Sequence, residues 1–90
     1  MAGMSTVVIR TNVDSGGTPQ QISSSYNNVR KVVFKAAYAN AALLKIGLSG
    51  FSTNYFSLDA GQILTLENVD LSQFYVDGTT SDDLETIILI

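Results

Sequence analysis

Apolar and polar residues alternate in short runs along this chain, and clusters of turn-forming residues separate the runs. The clearest alternation is Arg30–Ala37. Val32, Phe34 and Ala36 fall on one face, with Lys31, Val33, Lys35 and Ala37 on the other. That pattern predicts a strand with one buried side. Thr6–Thr11 is short and β-branched and predicts another strand. Further strands are predicted over Phe56–Leu58, Gln62–Glu67, Phe74–Val76 and Leu84–Ile90.

The intervening segments carry turn chemistry. Asp14–Pro19 is dense in turn formers. Gln21–Asn28 is polar, with Ile22 and Tyr26 as its apolar anchors, and reads as a loop. Gly47–Tyr55 reads as a loop with two aromatics. Asp59-Ala60-Gly61 predicts a tight turn, with Gly61 suited to positive φ. Asn68–Ser72 predicts a turn or a single helical turn, and Gly78–Asp83 a polar loop.

The segment 29–46 admits two readings. As strands it is a hairpin, with Tyr38–Ala41 as the turn and Ala42–Ile46 returning. Val29, Val33, Ala36, Ala37, Asn40, Leu43 and Leu44 also fit a helical stripe. The β-branched opening, and the lack of an N-cap other than Asn28, favour the hairpin. About seven short strands with turn signals every ~8–12 residues predict an all-β fold. The expectation is one domain over 1–90, a small antiparallel β-sandwich or jelly-roll-like barrel. Residues 1–5 are expected to be flexible or to contact a partner.

Composition then narrows the chemistry. The 90 residues include no Cys and no His. Disulfides, structural zinc, Ser-His-Asp and Cys-His arrangements are therefore excluded. A domain of this size is marginal alone, so oligomerisation or docking is the expected stabiliser. The N-terminus lacks the basic and apolar regions of a signal peptide, and no apolar run approaches the ~20 residues of a membrane span. Met1 reads as the start of a complete, soluble product. Gly16-Gly17 is followed by Thr18-Pro19, which is no Walker loop. The chain is expected to be no enzyme and to need no cofactor.

The net charge is -3, and it is divided along the chain. Arg10, Arg30, Lys31, Lys35 and Lys45 all precede the acidic half that holds Asp59, Glu67, Asp70, Asp77, Asp82, Asp83 and Glu85. Such halves pair within a fold or between neighbours. Lys31 and Lys35 share a strand face and are candidates to meet an acidic neighbour. Overall acidity and the absence of interleaved aromatics argue against nucleic acid. Asp77, Asp82, Asp83 and Glu85 form an oxygen-rich stretch of the sort that binds Ca²⁺, but without EF-hand spacing. They read more simply as a solvated loop. Phe51, Asn54, Tyr55, Phe56 and Tyr75 are candidates for a platform taking a partner side chain or a sugar ring, or for ordinary packing. The end of the chain, Ile87–Ile90, is apolar on both faces. It reads as a central strand or a subunit interface, with Ile88 and Ile90 the candidate contacts.

The second half carries a resemblance. Leu58-Asp59-Ala60-Gly61-Gln62-Ile63-Leu64-Thr65-Leu66 follows a pattern Leu–x–Ala–Gly–x–x–apolar–Thr–Leu, preceded by Leu44-Lys45-Ile46-Gly47 and followed by Asp70-Leu71 and Phe74–Gly78. With the earlier Val29–Ala36 strand, this resembles small virion structural proteins of tailed bacteriophages over roughly Gln20–Ile90. The resemblance implies a head decoration or cement protein, or a fibre or tail accessory. Such proteins are often trimers that bind the major capsid or other virion proteins. It places the chain in the virion, assembled in the host cytoplasm. A carbohydrate- or receptor-binding module of a tail or head fibre is the alternative. No active-site residue follows from it.

Overall fold

Thirteen buried apolar side chains drawn from both halves of the chain form one core. In the computed structural model, which describes residues 6–90, two β-sheets pack over it. The strands are β1 (Thr6–Asn12), β2 (Gln20–Gln21), β3 (Val29–Ala36), β4 (Leu44–Leu48), β5 (Phe56–Leu58), β6 (Ile63–Val69), β7 (Phe74–Asp77) and β8 (Asp83–Leu89). A 3₁₀ turn over Leu71–Gln73 leads into β7, capped by the Asp70 carboxylate, which accepts from the Ser72 amide at 3.0 Å. The expectation for residues 1–5 lies outside the described residues.

Pairing is nested. β1 pairs with β8, β2 with β7, β3 with β6 and β4 with β5, all antiparallel. This is one long hairpin in strand order, and it is rolled so that β3 also pairs with β8 and β4 with β7. Two four-stranded sheets result, in the orders β1-β8-β3-β6 (the first sheet) and β2-β7-β4-β5 (the second). An eight-stranded antiparallel sandwich in this order is a jelly roll. The all-β sandwich expected from the sequence is therefore the fold, with eight strands rather than seven.

The core follows the pleat. Val32, Phe34 and Ala36 of β3, Leu84, Thr86 and Ile88 of β8, Leu44 of β4 and Val76 of β7 have no exposed surface. Phe34 meets Phe74 across the sandwich at 6.2 Å between ring centroids. Burying each large side chain contributes roughly 1.5–3 kcal/mol. Thr86 is the exception in this apolar layer, because its hydroxyl has no hydrogen-bond partner. On β6 and β3 the inward face shifts by one position at the same level. Leu66 and Val69 both pack inward, as do Val32 and Val29. Asn68, at φ 55°, makes the shift on β6, and Asn tolerates that left-handed backbone better than most residues.

Two sequence expectations need correcting. Residues 29–46 form neither a hairpin nor a helix. β3 and β4 both exist but lie in different sheets. The Asn40 side chain acts as a one-residue strand between them. Its Nδ2 donates to the Asp83 carbonyl at 2.9 Å, and its Oδ1 accepts from the Asp83 amide at 2.8 Å. Those bonds hold the 37–43 crossover against β8 as the chain passes to the second sheet. The Gln21–Asn28 segment also starts with β2, whose two polar residues carry no strand signal.

Candidate interaction surfaces

The nested pairing brings the basic first half against the acidic second half. On the outer face of the first sheet, Arg10 Nε lies 3.2 Å from Asp83 Oδ2, and its Nη1 3.3 Å from Glu85 Oε2. Lys35 Nζ lies 3.8 Å from the other oxygen of Glu85. The charge division thus pairs within the fold. Such exposed pairs contribute only ~0–1 kcal/mol each, so they fix the position of side chains more than they add stability.

Asp83 is held below the usual carboxylate range, first by the Asn12 side-chain amide, which donates to it at 2.9 Å, and then by Arg10. A depressed carboxylate stabilises the fold above its unfolded value of about 3.9, and that contribution is lost as pH falls through the folded value. Stability in urea should therefore decline on acidification below about pH 4. Asn12→Ala should make that decline shallower. A decline of unchanged slope in the variant would show that Asn12 does not set it.

Strand register places these charges beside an apolar row. Val8, Ile87 and Val33 are adjacent across β1, β8 and β3, and the next row runs Arg10, Glu85, Lys35, Ile63. Val8 is 70% exposed, Ile63 60% and Ile87 42%. Val8, Val33, Ile63 and Ile87, with Lys35 and Glu85, line a shallow hollow on this face. Tyr38 stands at its lower margin, with Lys35 Nζ 4.3 Å from the ring centroid. The Tyr38 ring occupies the space where a Cβ on Gly61 would lie, 2.5 Å away. Gly61 also has φ 84°, so this turn requires glycine twice over.

The loops at this end of the strands are organised by buried carboxylates. Asp82 accepts from the amides of Ala41 at 2.9 Å and Ala42 at 3.3 Å, and Asp77 from those of Gly17 at 2.9 Å and Gly78 at 2.7 Å. Both residues are under 10% exposed. The acidic stretch is therefore not a solvated loop. Asp77 and Asp82 tie loops together, while Asp83 and Glu85 join the outer-face ion pairs. Among the described residues no group of three acidic side chains is placed to hold a metal.

The aromatic candidates divide between two sides of the second sheet. Phe51 lies over Gly47, where an added Cβ would stand 2.6 Å from its ring, and its centroid is 5.8 Å from that of Tyr55. Lys45 Nζ sits 5.1 Å from the Tyr55 ring centroid. Tyr75 is opposite Gly47 in the ladder, on the side of Lys45. Phe56 instead pairs with Ile46, so alternation turns it to the core side. There, 65% exposed, it lines a hollow with Leu48 and Phe74 at the open end of the sandwich. The platform is thus Phe51, Tyr55 and Lys45, with Tyr75 on the same face, while Phe56 turns to the core side and shares with Tyr55 only the hollow that both line.

Of the other candidates, Lys31 is exposed and lies opposite Glu67, and Lys35 is part of the charged row. Ile90 is 43% exposed. Ile88 is fully buried in the protein's own core and has no surface for a partner. The strand's alternation separates it from Ile87, which the sequence reading passed over. Val8, Val33 and Ile63 were also missed. Alternation puts Val33 on the face of Lys31 and Lys35 but does not mark it as a contact, whereas Val8 and Ile63 are each one apolar residue in a strand that has others, so nothing local marks them as outward.

No family model matches the chain, and no curated protein matches it in sequence. Among the described residues no helix is long and apolar enough to cross a membrane. The fold and its surfaces define a small jelly-roll sandwich with polar loops fastened from within and an apolar row left on one outer sheet face.

Proposed function

We propose that this protein is a non-enzymatic structural component of a phage particle, a decoration or cement protein that docks through the outer face of its first sheet. The exposed row of Val8, Ile87 and Val33, with Ile63 beside it, carries the docking reading. A folded sandwich has no internal need for four apolar side chains on an outer face, and exposed apolar patches with polar rims mark interaction sites. The ion-paired Arg10, Glu85 and Lys35 form part of that rim and would orient a partner rather than bind it tightly. The buried carboxylates are already committed to backbone amides, which fits a structural role better than acid–base chemistry. The phage setting rests on the likeness of Gln20–Ile90 to small virion proteins. In it the protein works by mass action, favouring the assembled shell because it binds that state.

Co-sedimentation with purified particles from its source tests this. Ile87→Glu should lower occupancy by about tenfold or more while costing under ~1 kcal/mol of stability. Full occupancy by the variant, or absence of the wild type from particles, would remove the reading. Hundreds of copies per particle, counted by quantitative mass spectrometry, would indicate a shell-covering role, and about a dozen a neck, tail or fibre position.

A second reading, a glycan-binding module of a fibre, is favoured by Tyr55, which is 40% exposed, with the Phe51 ring tilted against it and Lys45 Nζ near its ring. Here Tyr55→Ala should abolish binding on a glycan array and leave the melting curve in place. Silence of the wild type on a broad array ends this alternative.

A further inference from the structure

A sandwich of two open sheets has four edge strands, and three of these are blunted. β2 has two residues and β5 three. β6 is interrupted by the left-handed Asn68. Short or distorted edges are how β-proteins prevent unwanted pairing. β1 has none of these devices. It runs seven residues, Thr6–Asn12, without proline, glycine or positive φ, and every one of them is in register with β8. Its one charged residue, Arg10, is held by Asp83 and Glu85 of its own sheet. Among the described residues no strand pairs with its outer edge, and only Gln20 reaches it, at the Asn12 end.

The backbone groups open on that edge can be named. Val13, one step past β1, donates its amide to the Asp82 carbonyl at 2.8 Å. Hydrogen-bonded and non-bonded positions alternate along an antiparallel pair. Thr11, Ile9 and Val7 therefore direct their N–H and C=O groups to β8. Thr6, Val8, Arg10 and Asn12 direct theirs away from the sheet, where the Asn12 carbonyl accepts from Gln20 Nε2 at 2.9 Å and the others are open.

We infer that β1 pairs antiparallel with β1 of a second copy across a two-fold axis, joining two first sheets into one of eight strands. The edge is self-complementary. Centred on Ile9, the axis sets Thr6 opposite the other copy's Asn12, and Val8 opposite its Arg10. Val8 and Arg10 then find partners for both their groups, and Thr6 and Asn12 for one each, giving about six N–H···O=C bonds. Arg10 faces Val8 and never its own copy, so no like charges meet and its aliphatic stem covers the exposed valine. Registers centred on Arg10 would oppose two arginines. The inference rests on the reading that the protein acts through protein contacts, and specifies how it meets itself. A β1–β1 seam closes on two copies, so the trimer implied by the resemblance would need a different surface.

Sedimentation equilibrium of the full chain over about 1–500 μM spans the affinity expected of a small seam. The mass should rise from 9.6 kDa to twice that value. Val8→Pro removes an outward N–H without touching the β1–β8 ladder, and edge strands accept proline. It should hold the mass at one chain. Thr65→Pro is the matched control. The amide of Ala36 donates to the Gln62 carbonyl at 3.1 Å, so by the same alternation Thr65 points its N–H to the outer edge of β6. That variant should still double in mass. Hydrogen exchange of the wild type supplies a readout that needs no variant: the amides of Val8 and Arg10 should become protected as concentration rises. A mass of one chain throughout, a trimer, or dimers with Val8 and Arg10 unprotected would overturn the inference. A monomer that still binds particles would sink the seam and leave the docking function intact. A β1-paired dimer absent from particles would do the reverse.

Discussion

Phe34→Ala should cost about 3–5 kcal/mol, close to the whole stability of a domain this size. Phe34 has no exposed surface, sits on the strand common to two ladders and meets Phe74 from the facing sheet. Its neighbours are held by main-chain hydrogen bonds on both sides of β3, so the sheet cannot collapse into the space left behind. The cavity term therefore adds to the lost transfer energy. In a thermal melt the midpoint should fall by roughly 15–30 °C. Phe34→Leu, which keeps most of the volume, should lose less than half as much. Equal losses for both substitutions would mean that ring packing against Phe74, and not filled volume, is what β3 supplies.

Asp82→Ala should follow at about 2–4 kcal/mol, although the position lies in a loop. The carboxylate is 94% buried, and its two oxygens serve the amides of Ala41 and Ala42. Truncation takes the acceptor from the amides of Ala41 and Ala42, and the exposed neighbours Ala39 and Leu43 offer none in its place. Asp82→Asn keeps one accepting oxygen but aims an N–H₂ group at the other donor, so it should recover only part of the loss. Urea denaturation of both variants measures this. A loss under ~0.5 kcal/mol for Asp82→Ala would mean that water replaces the carboxylate at no cost. The effect should reach the fold through the crossover, because the same loop holds Asn40 against Asp83.

The sequence disclosed the strands far better than their neighbours. Val32, Phe34 and Ala36 alternate with polar residues, and period-2 patterning reports which side of a strand is buried. It does not report which strand lies alongside. The short distance from Ala36 to Leu44 suggested a hairpin, whereas the rolled topology puts β3 between β6 and β8 and β4 between β5 and β7. β2 was invisible because Gln20 and Gln21 pair through backbone alone. The role of Asp82 was hidden for a related reason. A carboxylate in a Thr-Ser-Asp-Asp stretch looks solvated until the 38–43 crossover is seen to pass over it. On the surface, the Ile87–Ile90 run announced itself, but its alternation sends Ile88 inward and Ile87 outward. Only the strand order shows that β8 is central and that its outer face is nonetheless bare.

That strand order also governs how the protein is made. β8 lies between β1 and β3, so until β8 is made β1 has no main-chain partner and β3 has only β6. During synthesis β1 and β3 emerge first and must wait, carrying Val7, Val8, Ile9, Val32 and Phe34 in the open. Without β8 the first sheet is reduced to the β3–β6 pair, with β1 detached from it. Closure of the first sheet therefore waits for β8, and it is slowed by the long loop between β1 and β8. A nascent chain that lacks β8 exposes this apolar surface and is a substrate for chaperones and proteases.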